Sequence, residues 1–181
     1  MTTADVLLVL DTLESAGVGV WVDGGWGVDA LLERQTRAHD DLDLAASRKD
    51  LPRCQVALAS LGYAHATHEE PGLPARLVLR GPAGREVDFH PLVFDSEGNG
   101  LQELGDGEWG TYPAAGLRGR GRIGGREVRC ITPELQLAFH SAYEPAEKDR
   151  LDVALLAQRF GLEHLVLGAG PGSQRRSPRI E

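Results

Sequence analysis

Between residues 18 and 45 the chain passes from a short apolar run (VGVWV) through Asp23-Gly24-Gly25 to WGVDALLER and then to DLDLA. The first run reads as a buried strand, the glycine pair breaks it, and residues 26–34 regain helical spacing. The last run alternates with period two, so Leu42 and Leu44 face a core while Asp41 and Asp43 share the opposite face. This succession of strand, glycine turn, helix and acid-bearing strand brings a helix N-terminus close to a pair of carboxylates. Glycine amides at a helix N-terminus bind phosphate through unpaired N–H groups and the helix dipole, and the missing Cβ atoms allow close approach.

The flanking sequence supplies the rest of an α+β domain. Val6, Val9, Leu10 and Leu13 recur at helical spacing behind a cap at Thr2 or Thr3, with Gly17 at the stop. Residues 51–61 predict a second helix, with Pro52 in its first turn, Val56, Leu58 and Leu61 as apolar positions, and Gly62 at its end. Three consecutive antiparallel strands are predicted over 63–68, 75–80 and 85–94, separated by turn-rich segments. The third strand alternates, with Val87 and Phe89 on one face and Asp88 and His90 on the other. Residues 95–110 read as an acidic loop, 116–125 as a glycine- and arginine-rich stretch, and 127–131 as a closing strand. Thr132-Pro133 opens a helix running past His140 to about residue 143. A last helix over 147–160 has Leu151, Leu155, Leu156 and Phe160 as its apolar face and Gly161 at its stop. Residues 168–181 lack apolar content and predict a disordered tail. The expected organisation is a core over 1–131, a helical segment over 132–167 and that tail.

With 181 residues, 41% of them hydrophobic, the chain suits one compact domain. Its 27 acidic against 19 basic residues give a formal charge of -8, which disfavours nucleic acid and anionic membrane surfaces and favours a small-molecule partner, cationic by charge. Cys54 and Cys130 stand far apart in apolar contexts, as expected of buried free thiols in a reducing compartment. No charged leader or membrane-length apolar run is seen, so a cytoplasmic protein is expected. The oligomeric state is left open.

If neighbouring strands bring Asp41, Asp43 and Asp88 together, each close pair repels by roughly 4 kcal/mol at 4 Å and an effective dielectric of 20. Such a cluster calls for a cation, and hard oxygen ligands with open positions suit Mg²⁺. His39, Asp41 and His90 lack the spacing of a zinc motif, and neither Ser141 nor Cys130 sits in a nucleophile elbow. Trp21 and Trp26, which flank the glycine turn, are expected to pack rather than stack on a base.

The segments VDGGWGVDALL, RQTRAHDDLDL, EVDFHP, VRCITPELQLAFHSAYEP and EKDRLDVALL, in this order, resemble the small antibiotic nucleotidyltransferases of the polymerase β-like superfamily. The likeness covers residues 5–162 and is strongest to the lincosamide nucleotidyltransferases and aminoglycoside 2''-adenylyltransferases. It implies a mixed, twisted sheet backed by helices, with a short C-terminal helical segment walling the acceptor side. It also implies that nucleoside triphosphate lies against Gly24 and Gly25, that Asp41 and Asp43 hold Mg²⁺, and that Asp88 completes the metal site. Arg37 and His39 are secondary candidates for nucleotide contact, as is Lys148, while Asp149 resembles a family position near nucleotide and substrate. His90 is a candidate to orient Asp88 or touch the acceptor, and the role of His140 is open. The implied reaction moves a nucleoside monophosphate, AMP from Mg-ATP, to a hydroxyl of an aminoglycoside- or lincosamide-like molecule with release of pyrophosphate, Asp88 serving as general base. FHP after Asp88 points to the lincosamide branch, whereas HDD and GREVRC point to the aminoglycoside branch. The alternatives are a non-catalytic relict that binds nucleotide or a partner, and a transferase with a macromolecular acceptor.

Overall fold

The computed structural model describes residues 1–66, 74–105, 107–140 and 146–167. The sequence-predicted tail over 168–181 lies outside them, as do residues 67–73 and 141–145.

Helix α1 (Thr3–Ser15) is capped as its sequence requires: the Thr2 hydroxyl accepts the Asp5 N–H and the Asp5 carboxylate accepts the Thr2 N–H. Gly17 takes the left-handed conformation that ends it. Strand β1 (Val20–Val22) leads into α2 (Gly24–Leu32), which starts two residues earlier than the helical spacing predicts because Asp23 caps it. Strand β2 (Asp41–Ser47) is followed by α3 (Leu51–Ala59), β3 (Ala64–His65), β4 (Leu77–Arg80) and β5 (Glu86–Phe94). In α3, Leu51, Cys54 and Leu58 form the buried face, and Val56 points to solvent, 76% exposed.

Two segments depart from expectation. The acidic stretch is a hairpin of β6 (Gly100–Gly105) and β7 (Glu108–Tyr112), which continues from the end of β5. The glycine- and arginine-rich stretch is an edge strand, β8 (Gly119–Ile123), paired with β9 (Arg126–Cys130). Its alternation was hidden because glycines occupy two of its inward positions, Gly119 and Gly121, and only Ile123 is apolar. Gly121 lies against α2, where a Cβ would strike the Ala30 carbonyl and come within 2.9 Å of the Leu31 nitrogen.

The main strands run in the order β3-β4-β5-β2-β1-β9-β8, with β6 and β7 branching from β5. Pairs β2/β5 and β1/β9 are parallel and the others antiparallel, which makes the sheet mixed. Leu42, Leu44, Val87 and Phe89 are fully buried in one core with Val6, Leu13 and Leu58 of the helices. The opposite face carries a smaller cluster around Ala45, Leu92, Tyr112 and Ile131. Cys54 and Cys130 are fully buried, and burial pushes both thiols up to about 12.

After β9 come α4 (Pro133–His140), α5 (Glu147–Phe160) and α6 (Glu163–Leu167). Among the described residues, no helix is long and apolar enough to cross a membrane. Helix α5 has the predicted bounds, but only Leu156 of the predicted face is fully buried. Asp149, Asp152, Leu156 and Ala157 are buried, whereas Leu151 and Phe160 are exposed, because Asp149 turns back on its own helix start and Asp152 meets an arginine from the core.

Replacing Gly121 by Ala is expected to destabilise the fold by at least about 1–3 kcal/mol, since the obstructing atoms are backbone and cannot rotate away. Arg122→Ala, one residue along on the solvent face, should stay within about 0.5 kcal/mol of the parent. Urea unfolding of both variants checks the strand assignment.

Candidate active site

Parallel pairing of β2 with β5 puts Asp43 opposite Asp88, Ala45 opposite His90 and Asp41 opposite Glu86. Alternation turns the leucines, Val87 and Phe89 to the helices and Asp43, Asp88 and His90 to the other face. Ligand atoms of these last three residues lie within 4.8 Å of one another. Asp41, at the exposed start of β2, stands outside that group.

Asp88 is 4% exposed. Its Oδ2 accepts Arg76 Nε at 2.7 Å and a second Arg76 donor, whereas its buried Oδ1 has no hydrogen-bond partner among the described residues. His90 Nε2 faces Asp43 Oδ1 at 3.7 Å and Asp88 Oδ2 at 3.8 Å. Burial raises Asp43 to about 7; His90 opposes the rise, and the Asp41, Asp23 and Asp88 charges add to it. Burial also pushes Asp88 upward, but His90 and Arg76 outweigh it and hold the carboxyl below its ordinary range. For His90 burial acts downward, and its contacts with Asp23 and Asp88 together with the Asp23 and Asp43 charges carry it to about 10.

Helix α2 starts beside this cluster. Asp23 Oδ1 accepts the Gly24 N–H at 2.7 Å, and Asp23 Oδ2 accepts the Tyr112 hydroxyl at 3.0 Å. Gly24 has φ +55°, and a Cβ there would run into the Asp43 carboxylate, 2.8 Å from its Cγ. Only glycine lets the helix start so close to that acid. At Gly25 a Cβ would meet His39 Cε1 at 2.6 Å and an Arg37 guanidinium nitrogen at 2.7 Å.

Arg37 and His39 therefore lie at the start of α2, each held from behind. Arg37 pairs with fully buried Asp152 at 2.9 Å. His39, 4% exposed, shares a 2.5 Å hydrogen bond with Asp29 and packs on Trp26 at 4.9 Å. Asp29 also accepts the Thr36 N–H and hydroxyl, fastening the loop before β2 to α2. Lys148 is exposed at the start of α5, while Asp149 is turned inward to accept the Ala146 N–H at 2.9 Å. His140 Nδ1 lies 3.7 Å from Asp149. Trp26 is buried, and Trp21 donates to the Leu117 carbonyl at 2.6 Å with the Arg129 guanidinium over its ring, so both pack against protein groups.

Sequence reasoning missed Arg76, Asp23 and Tyr112. A single arginine at the head of the apolar strand beside an acid-bearing one was a usable signal for Arg76. Asp23 before two glycines fits a helix cap. Tyr112 had no signal, because its strand read as loop.

The family model for aminoglycoside-2''-adenylyltransferase matches residues 5–156. A lincosamide resistance protein of Staphylococcus haemolyticus is 30% identical over 154 residues, 84% of this chain and 92% of that protein. A 2''-aminoglycoside nucleotidyltransferase of Klebsiella pneumoniae is 31% identical over 134 residues, 72% and 69% of the two chains. Among solved structures, lincomycin-bound lincosamide antibiotic adenylyltransferase LnuA superposes with TM-score 0.75 and 29% identity, covering 86% of this chain and 96% of that one. The chain belongs to the aminoglycoside-2''-adenylyltransferase family and is a nucleotidyltransferase of polymerase β-like α+β fold.

The crowding of acids has a consequence for stability. A carboxyl raised to about 7 when folded, against 3.8 as its ordinary value, takes up a proton on folding between those pH values. Its unfavourable contribution grows as pH rises from about 4 to 7 and is complete above. In EDTA, Asp43→Asn is expected to be more stable than the parent at pH 8 by on the order of 1–3 kcal/mol, the advantage shrinking toward pH 4. Thermal unfolding across that range checks the sign; an Asn variant less stable at pH 8 contradicts it.

Proposed function

We propose that this enzyme transfers AMP from ATP to a hydroxyl of a lincosamide- or aminoglycoside-type antibiotic, releasing pyrophosphate. The observation that carries this reading is the in-register opposition of Asp43 and Asp88 beside the start of α2. Among acceptors a lincosamide is the first choice, because the lincosamide relative is matched over 92% of its length and the aminoglycoside relative over 69%.

The donor set fits Mg²⁺: two close carboxylates from adjacent strands, one with an oxygen that no donor among the described residues satisfies, and Asp41 on the same strand face. Asp43 and Asp88, with Asp41, would hold the ion, which when bound neutralises triphosphate charge and makes the acceptor hydroxyl more acidic. The first amides of α2, with Gly24 and Gly25 leaving room, would receive the phosphates. Arg37 and His39, braced by Asp152 and Asp29, flank that position, and the family resemblance makes Lys148 a further candidate cation for the nucleotide. Arg76, bonded to Oδ2 of Asp88, holds that carboxylate in place beside Asp43. Asp88 is the general base in this reading. The two buried thiols fit action in the reducing cytoplasm, and the acidic balance of the chain fits a small, cationic acceptor.

Mass spectrometry of reactions containing Mg-ATP and a panel of lincosamides and aminoglycosides tests the assignment. A mass gain of one AMP on an acceptor is the expected result, and unmodified acceptors throughout would refute it. Asp88→Asn is expected to keep much of its Mg-ATP affinity while losing about 10²–10⁴ in kcat. Asp43→Asn should lose both binding and turnover. Binding isotherms beside single-turnover rates separate the two roles; near-normal turnover in Asp88→Asn would remove it as base.

A further inference from the structure

Tyr112 closes β7 at 2% exposure, and its hydroxyl lies between two side chains of the site, 3.0 Å from Asp23 Oδ2 and 2.8 Å from His90 Nδ1. Its ring packs edge-on against Phe139 at 4.7 Å. The proton arithmetic is restrictive. An ionised carboxylate only accepts, so the single proton of the Tyr112 hydroxyl goes to Asp23, and the tyrosine oxygen is left to accept from His90. His90 Nδ1 must then carry hydrogen, and the ring is fixed with Nε2 toward Asp43 and Asp88. Asp23 is itself committed, because its other oxygen caps α2 at Gly24.

We propose that Tyr112 is a positioning residue for the transfer reaction: its hydroxyl joins the residue that caps α2 to the ring of His90 and holds His90 Nε2 toward the gap between Asp43 and Asp88. The β6–β7 hairpin thereby fixes the orientation of a side chain between the carboxylates. Rotation of that ring would change which ring nitrogen faces the gap, and misplacement by about 1 Å in such a site can lower rate by on the order of a hundredfold. The proposal rests on the functional reading above for its kinetic consequence, but not for its geometry.

Tyr112→Phe removes one oxygen and keeps the ring contact with Phe139. In the parent, the His90 Nδ1–H should give a slowly exchanging imidazole cross-peak in a ¹H–¹⁵N spectrum, assigned by its loss in His90→Gln. In Tyr112→Phe that peak should disappear and kcat should fall by on the order of tenfold to a hundredfold, while KM for the nucleotide stays near the parent value. Phe139→Leu loosens the same packing without touching the hydroxyl and should keep both the peak and kcat. Retention of the peak or of parental kcat in Tyr112→Phe overturns the proposal, as does loss of both in Phe139→Leu. If the parent enzyme modifies no acceptor in the panel, the functional reading has failed, and the imidazole peak alone decides the positioning role.

Discussion

Two carboxylates in register on neighbouring parallel strands set the terms for the structure around them. Asp43 and Asp88 face the same way because β2 and β5 pair without offset, and the leucines and Phe89 that alternate with them are fully buried on the other side. A slip of one residue in either strand would send an acid into the core. The register is therefore held by the hydrophobic core, and the repulsion it creates is answered locally. Arg76 neutralises one side of Asp88, and His90 stands between the acids with Nε2 toward both.

The start of α2 is the second fixed point. Gly24 brings the helix against Asp43, Asp23 satisfies its first amide, and Gln136 of α4 reaches the Gly24 carbonyl at 3.2 Å. Behind it, Asp29 and Asp152 take up His39 and Arg37, so the loop before β2 is tied both to α2 and to α5. Removing one member of such a buried pair leaves the other charge uncompensated. Helix α5 and the N-terminal end of α2 thus share one arginine. Tyr112 makes the corresponding link on the other side, from the hairpin to Asp23 and His90.

The parts legible in the sequence were those whose physical cause is local. Period-two alternation marked DLDLA and EVDFH, and caps and stop glycines marked α1 and the bounds of α5. Asp43 and Asp88 were accessible because their faces follow from that alternation. What could not be read depended on partners distant in sequence. The inward glycines of β8 show no apolar period, and they make sense only against the backbone of α2. The buried face of α5 includes Asp152 because Arg37 meets it, so counting apolar residues selected Leu151 and Phe160 instead. The β6–β7 hairpin is polar enough to resemble loop, which concealed Tyr112.

On the proposed reading, the Asp43/Asp88 face accepts a triphosphate only when a divalent cation offsets its charge. Calorimetric titration of the full chain with ATP, once in Mg²⁺ and once in EDTA, tests it most directly. Binding in Mg²⁺ and its near-complete loss in EDTA are expected, whereas equal affinity in both would contradict the assignment of these carboxylates to the metal-nucleotide site.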